Sequence, residues 1–594
     1  MSFHWKVNMT ETLVSRFFAN ADRLGARTIY QFPTANGWVP VGWRTAAALV
    51  RDFGSGLVDL GHQKGDALAI LSSTRREWLM CDLGNLAIGG ITIGVYPSMT
   101  AEQTRYVVAH CEARFIVVED IKQLSKIDAA RALLPRLETL IIIDPTGTTP
   151  RPGLLSLEDL LARGRAARHD VDARTRAILL EDAAIFVYTS GTTGPPKGAM
   201  LTHGNLVGAL RAMSVFPMVE GDTGFSFLPL AHVLQRGVDY RGAWEGVPGS
   251  YGRSLETVAE DLALARPSVM ASVPRIFEKI YAKIHEQAAS STPAKKKIFD
   301  WALGVGRQVS RLRQARQPIP PALAAQHAVA RVLVFDKLRA KLGGRVRCFI
   351  TGGAPISPEI LEFFDAADIT ILEGWGMTET FAAGSINLPG DYRFGSIGKP
   401  LPGIEMKLDT DGEILIRGAN VFAGYYKDDD ATKAAFTPDG FFRTGDIGKI
   451  DSEGFFSIID RKKDLIITAA GKNIAPQNIE NLIKTDPRIS QVMAVGDRRA
   501  YVVALISVNP EATAGKSETD LVRMVDDIVK SKNDELASYE RIKKFRILPQ
   551  DLTQDSGDLT PTLKLKRKVV AEKYGNLIEE MYAEGKVREA GKGA

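Results

Sequence analysis

The sequence predicts an α/β protein: a large body with mixed and parallel sheets, a small β-rich unit, and a compact α+β piece at the carboxy-terminal end. Three observations lead there. A chain of 594 residues is too long for one hydrophobic core, so roughly two to four structural units are expected. From about residue 10 to 400, apolar strand-like runs alternate with helical patterns, the rhythm of parallel strands joined by crossover helices. After Gly395 the texture changes to short β-runs broken by the turns Asp411-Gly412, Asp439-Gly440 and Glu453-Gly454.

In chain order, Trp43 to Leu60 reads as an amphipathic helix and Asp66 to Leu71 as a buried strand. Leu83 to Val95 fits a buried helix–strand unit, being glycine-rich and shorter than the ~20 residues that span a bilayer. Phe115–Val118, Leu140–Ile143 and Ala184–Val187 continue the strand series. Cys348-Phe349-Ile350 leads through Gly352-Gly353 into a helix capped by Ser357, with Pro358 at the first helical position, where no amide donor is needed. Further on, Ser490–Val495 and Tyr501–Val508 read as strands around the polar turn Asp497-Arg498-Arg499. The charged stretch Asp460–Asp464 lies between apolar runs, as a hinge would, and divides the chain into 1–460 and 461–594.

An apolar fraction of 45% with 24% charged residues is ordinary for a water-soluble globular chain. Cys81, Cys111 and Cys348 lack metal or disulfide spacing, which points to a reducing compartment. The amino terminus has no apolar signal core, so a cytoplasmic protein is expected. Net charge is only +5, yet Lys295 to Arg347 holds thirteen Lys/Arg against Asp300 and Asp336. Within it Ile298, Trp301, Val305, Val309 and Leu312 fall at helical spacing, with Arg307, Arg311, Arg313 and Arg316 elsewhere around the turn. Such a helix either packs on a core with a solvated basic face or lies peripherally on the anionic inner face of a membrane. No aromatic-plus-basic recognition motif accompanies it, so no nucleic-acid partner is expected.

The run Tyr188-Thr189-Ser190-Gly191-Thr192-Thr193-Gly194-Pro195-Pro196-Lys197-Gly198 follows a strand-like segment. Its glycines allow close backbone approach to phosphate oxygens, while amides and Lys197 supply positive charge. It is not a Walker A loop, because Pro196 and Gly198 stand where that pattern needs a glycine and a hydroxyl. The run resembles the phosphate-binding loop of the adenylate-forming (AMP-binding) superfamily. The resemblance continues, in the family's order, through Pro229-Leu230-Ala231-His232, Gly352-Gly353-Ala354-Pro355, Gly374-Trp375-Gly376-Met377-Thr378-Glu379, Thr444-Gly445-Asp446, Asp460-Arg461-Lys462-Lys463-Asp464 and Thr560-Pro561-Thr562-Leu563-Lys564.

The resemblance implies a large domain that binds ATP and an acid, closed by a small mobile carboxy-terminal domain. It also implies two steps: a carboxylate attacks ATP with Mg²⁺ to give an acyl-adenylate and pyrophosphate, and coenzyme A then takes the acyl group. Attack of one anion on another makes positioning and charge neutralisation the chief needs. Thr189, Ser190, Gly191, Thr192, Thr193, Gly194 and Lys197 match the phosphate loop, and Gly353, Ala354, Trp375, Gly376 and Thr378 the rest of the nucleotide site. Glu379 matches the Mg²⁺ ligand. Asp446 matches the ribose-binding carboxylate, whose two oxygens suit a vicinal diol, and Arg461 a second ribose contact. Lys463 stands at the hinge, and Lys564 at the position of the adenylation lysine, within Thr-Leu-Lys where many relatives read Ser-Gly-Lys. His232 is implied to contact the acyl carboxylate or the thiol, with a packed neutral histidine as the competing reading. Gly471, Lys472 and Asn473 match the loop beside the coenzyme A tunnel.

Ser272–Lys279, Gly471–Gln477 and the helical stretch 280–345 resemble long-chain fatty acyl-CoA synthetases, although Gln235 stands where that subgroup has glutamate. The expected substrates are therefore a fatty acid, ATP and coenzyme A. A medium-chain or aryl acid ligase and a fatty-acid uptake protein with degenerate catalysis are the alternatives.

Overall fold

The computed structural model describes residues 11–35, 37–189, 195–254, 256–469, 472–560 and 563–590. Ser190, Gly191, Thr192, Thr193, Gly194 and Gly471 lie outside the described residues. An eight-stranded sheet runs in the order Gly424–Tyr425, Lys197–Thr202, Ala183–Thr189, Ile91–Val95, Ala67–Leu71, Phe115–Val118, Thr139–Ile142, Leu154–Ser156. From Ala183–Thr189 outward the strands are parallel. Helices cover both faces, so Ala67–Leu71 and Phe115–Val118 are buried along their whole length, as unbroken apolar runs require. Lys197–Thr202 returns antiparallel to Ala183–Thr189, with Thr189 opposite Lys197, so the phosphate-loop run joins two hydrogen-bonded strands.

A second sheet places Val269–Ser272, Cys348–Thr351 and Thr370–Trp375 in parallel, followed by the antiparallel pieces Ser385–Ile386 and Lys399–Pro400. Ser357 caps the helix Pro358–Ala366 as its sequence suggests, its hydroxyl accepting from Glu359 N. The β-rich unit is a four-stranded antiparallel sheet: Ile404–Leu408, Glu413–Gly418, Phe442–Ile450, Phe456–Arg461. Beyond it, Ile489–Val495, Val502–Val508 and Ile542–Ile547 form a small sheet under the helices Pro476–Ile483 and Glu518–Asn533, with its own core around Ile479, Val525 and Ile542.

The basic segment needs a correction. The helix Pro293–Gln314 buries Phe299, Ala302, Leu303, Val305, Gly306 and Val309, while Ile298 and Trp301 are 42% and 39% exposed. Gly306 sets this offset: a Cβ there would sit 2.6 Å from Ala366 O, so the helix presses its glycine face onto Pro358–Ala366. Arg311 and Arg313 of this helix, and Arg316 just beyond it, are not simply solvated, because they pair with Glu362, Asp368 and Asp391.

Helix Val233–Glu245, which follows His232, is anchored by a fully buried ion pair. Arg236 donates to both oxygens of Asp82 at 3.0 and 2.6 Å, and Tyr240 OH donates to Asp82 Oδ2 at 2.6 Å. Removing one partner strands the other charge in the core. Asp82→Ala should lower stability by roughly 3–5 kcal/mol, read from chemical denaturation, whereas loss of an exposed pair such as Lys296–Asp300 should cost under about 1 kcal/mol.

Candidate active site

Ligands of open α/β sheets collect beyond the carboxyl ends of the strands, and the cleft here lies at those ends. One cavity of about 2390 Å³ is lined by Thr189, Lys197, His232, Gly353, Ala354, Trp375, Gly376, Thr378, Glu379, Asp446, Arg461, Lys463 and Lys564. Residues far apart in sequence thus meet in one space. Lys472 does not join them: it is exposed, its ammonium 5.9 Å from the Tyr539 ring, and it does not line the cleft.

Asp446 lies on the strand Phe442–Ile450, directly opposite Arg461 on its antiparallel neighbour. Arg461 Nε reaches Asp446 Oδ1 at 2.7 Å, and Trp375 Nε1 donates to Oδ2 at 2.9 Å. The carboxylate is held from two sides, and each oxygen retains a lone pair for a diol.

Glu379 sits in the short turn Thr378–Thr380 after the strand Thr370–Trp375, and is buried. Tyr425 OH donates to its Oε1 at 2.8 Å, and no ion pair compensates it among the described residues. Burial raises its carboxyl above the ordinary range. A buried carboxylate facing a polar cleft without a paired cation suits a hard divalent ion with phosphate oxygens as co-ligands. Lys197 lies close by, its Nζ 2.9 Å from Asp428 and 5.4 Å from the Tyr425 ring centre.

Lys564 enters the cleft from the carboxy-terminal unit. Its Cε lies 3.6 Å from the place a Cβ on Gly353 would occupy, and Gly353 has φ +84°. Any side chain at Gly353 would be strained by that φ, and its Cβ would be in ordinary contact with the lysine. The turn carrying Lys564 is closed by Thr560 N donating to Lys564 O at 2.7 Å and Lys564 N donating to Thr560 Oγ1 at 3.0 Å. Leu563 is left-handed at φ +62°, which costs a non-glycine residue roughly 1–2 kcal/mol. Burial lowers the Lys564 ammonium to about 8, with Arg461 pushing the same way and Asp446 opposing.

His232 is the N-cap of helix Val233–Glu245, and its Nδ1 accepts from Leu234 N at 3.1 Å. That bond places the ring proton on Nε2. Enclosure, and then the facing Lys564, push the ring down to about 3, so His232 is neutral and presents a donor to the cleft.

Sequence reasoning missed Tyr425, Asp428 and Asp239. Tyr425 and Asp428 sit in Gly424–Asp428, which reads as an ordinary polar turn until Gly424–Tyr425 pairs with Lys197–Thr202. Asp239 lines the cleft, yet its oxygens already accept from Ser226, Gln235 and Tyr251. This explains Gln235: its amide donates to Asp239, which a glutamate could not do. The lining of the cleft also includes the apolar side chains Leu79, Met213, Phe216, Met218 and Val238.

Residues 17–426 match the family model described as AMP-binding enzyme, and 463–586 that of the AMP-binding enzyme C-terminal domain. The chain is 38% identical over 582 residues to the long-chain-fatty-acid–CoA ligase FadD15 of Mycobacterium tuberculosis, covering 93% of this chain and 94% of the relative. It is 33% identical to the peroxisomal long chain acyl-CoA synthetase 7 of Arabidopsis thaliana, covering 91% and 82%. Among solved structures, the adenylation domain of the Mycobacterium chelonae carboxylate reductase superposes with TM-score 0.80 at 23% identity, over 96% of this chain and 91% of that one. The anthranilate CoA ligase AuaEII in complex with anthranoyl-AMP superposes with TM-score 0.74 at 20% identity, over 96% and 99%.

Tyr425→Phe removes the hydroxyl held on Glu379 with little change in packing. It should weaken apparent Mg²⁺ affinity by about tenfold or more in a metal titration with ATP present, while melting temperature stays close to that of the parent protein.

Proposed function

The chain belongs to the AMP-binding enzyme family, and we propose that it is an ATP-dependent long-chain fatty acid–CoA ligase. The observation that carries the reading is the Lys564 ammonium, brought from a separate unit into the cleft that Glu379, Asp446 and Arg461 line. Most of the barrier to joining two anions is electrostatic and positional, and this arrangement answers both parts.

In the first half-reaction Asp446 and Arg461 hold the ribose, Trp375 with Gly376, Thr378, Gly353 and Ala354 encloses the base side, and Thr189 to Gly194 with Lys197 takes the phosphates. Glu379 would hold Mg²⁺, which supplies charge neutralisation on the phosphate oxygens. His232 donates through Nε2–H to the acyl carboxylate and orients it; with its ring neutral and Nδ1 occupied, it does not serve as a base for the thiol. Lys564 bridges carboxylate and α-phosphate as pyrophosphate leaves. The fatty tail lies along the apolar side chains Leu79, Met213, Phe216, Met218 and Val238 that line the same cleft.

In the second half-reaction the chain beyond the hinge at Lys463 turns about it, so that Gly471, Lys472 and Asn473 flank the arriving coenzyme A and AMP is released. The division into 1–460 and 461–594 belongs to this reading. Lys462 would stay with the body, since its ammonium pairs with Asp411 at 2.6 Å and Glu413 at 3.1 Å.

No helix among the described residues is long and apolar enough to cross a membrane. The proposal is of a cytoplasmic enzyme that touches the inner face of a membrane peripherally through 295–347. Supporting this are Ile298, Trp301, Val329, Val332 and Leu333, all exposed in that stretch, near Lys295 and Lys297.

Turnover over acids from acetate to C20, with coumarate and amino acids included, should yield AMP with long saturated acids foremost. Binding of fatty acid without AMP would favour an uptake protein. Lys564→Ala should cut adenylate formation by roughly 10²–10³-fold and leave thioester formation from supplied acyl-adenylate nearly intact. Because catalysis needs the Lys564 ammonium and its pKa is lowered to about 8, kcat/KM for adenylate formation should fall as pH rises through 8. Lys564→Arg should move that fall to higher pH, and a profile flat from 7 to 10 would contradict the assignment. Ile298→Asp with Trp301→Ala should reduce co-sedimentation with anionic vesicles; binding unaltered by these changes or by salt would remove the membrane contact.

A further inference from the structure

Two of the places where the carboxy-terminal unit touches the body are not used by the chemistry above. The first lies at the start of the helix Pro274–Ala289. Arg275 donates through one terminal nitrogen to Ser490 O and through the other to Ser490 Oγ, both at 2.7 Å. Ser490 Oγ donates on to Asp551 Oδ2 at 2.7 Å. One turn along, Glu278 pairs with Lys484 at 3.2 Å and with Arg275 at 3.4 Å, and it is only 8% exposed. Burial alone would raise the Glu278 carboxyl, and Lys484 with Arg275 hold it below its ordinary range. The body carboxylate is thus paired by Arg275 of its own helix and by Lys484 from the other unit, and parting the units would break the second of these pairs.

The second contact is Leu563. Its left-handed backbone is one that glycine adopts freely and larger residues avoid. Its side chain packs against the carboxy-terminal unit's own cluster with Leu552 and Leu559. It also packs against the body cluster that contains Val273, Ile276, Phe277 and Ile356. Strain of this kind persists where surrounding contacts over-determine it, and the contact with the body supplies that determination. A glycine would relieve the backbone and lose the contact.

We propose that Arg275 and Leu563 form a two-point latch that holds the carboxy-terminal unit in the adenylate-forming pose, and so act as positioning residues for Lys564. Leu563 is the chain neighbour of Lys564, and the Arg275 helix begins with Pro274, which itself lines the cleft. Docking at both points fixes where the ammonium sits. Both points break when the unit turns to admit coenzyme A, so the latch favours the first half-reaction and not the second.

The latch rests on the ligase reading, and the experiment separates the two. Fatty-acid-dependent ATP–pyrophosphate exchange reports the first half-reaction, and acyl-CoA formation from supplied acyl-adenylate reports the second, both in the full chain. Arg275→Ala and Leu563→Gly should each lower exchange by roughly tenfold or more and change thioester formation by less than about twofold, as a shift in pose predicts. Arg275→Lys, which keeps a cation beside Glu278 and a donor for Ser490, should recover part of the exchange, and Leu563→Met should retain most of it. Equal losses in both half-reactions, or full exchange in Arg275→Ala and Leu563→Gly, would overturn the latch. A parent protein that exchanges with no acid would overturn the ligase reading instead.

Discussion

A lysine ammonium set in a cleft it does not own is the constraint on which the rest depends. Placing Lys564 against Gly353 takes a charge out of water, and burial opposes that strongly enough to bring its pKa down to about 8. The charge is worth placing there only when phosphate and carboxylate oxygens are present to meet it. In the proposed reaction, an arrangement costly when empty and favourable when loaded would couple closure to substrate binding.

The body prepares for that charge with fixed groups. Asp446 is clamped between Trp375 and Arg461, Glu379 is held by Tyr425, and Lys197 by Asp428. Each functional side chain is oriented by a neighbour whose own backbone is fixed in a sheet or at a helix cap, so little ordering remains when substrate arrives. His232 follows the same rule: the first turn of its helix fixes its tautomer, and the buried Arg236–Asp82 pair fixes the helix.

Much of this was legible in the sequence because the relevant signals are local. Apolar runs marked the parallel strands to within a residue or two, Ser357-Pro358 marked a helix start, and the site motifs gave residues that do line one cleft. What escaped depended on three-dimensional pairing. Tyr425 and Asp428 matter because a two-residue strand docks beside Lys197–Thr202, and nothing in their own neighbourhood signals that. The helix Pro293–Gln314 was misoriented because periodicity weighs Ile298 and Trp301 by hydrophobicity, whereas Gly306 decides which face can approach its neighbour. Lys472 belongs to a motif and yet lies on the surface, since one structure holds one pose of a unit proposed to take two.

That last point allows the most direct measurement. The native cysteines are all buried, so spin labels on cysteines introduced at the exposed positions Leu133 and Val522 would report the separation of body and carboxy-terminal unit. With ATP, magnesium and a non-reacting fatty-acid analogue, the account predicts one distance distribution, that of the present structure. With acyl-adenylate and coenzyme A it predicts a second, distinct distribution. A single unchanged distribution under both conditions would contradict it.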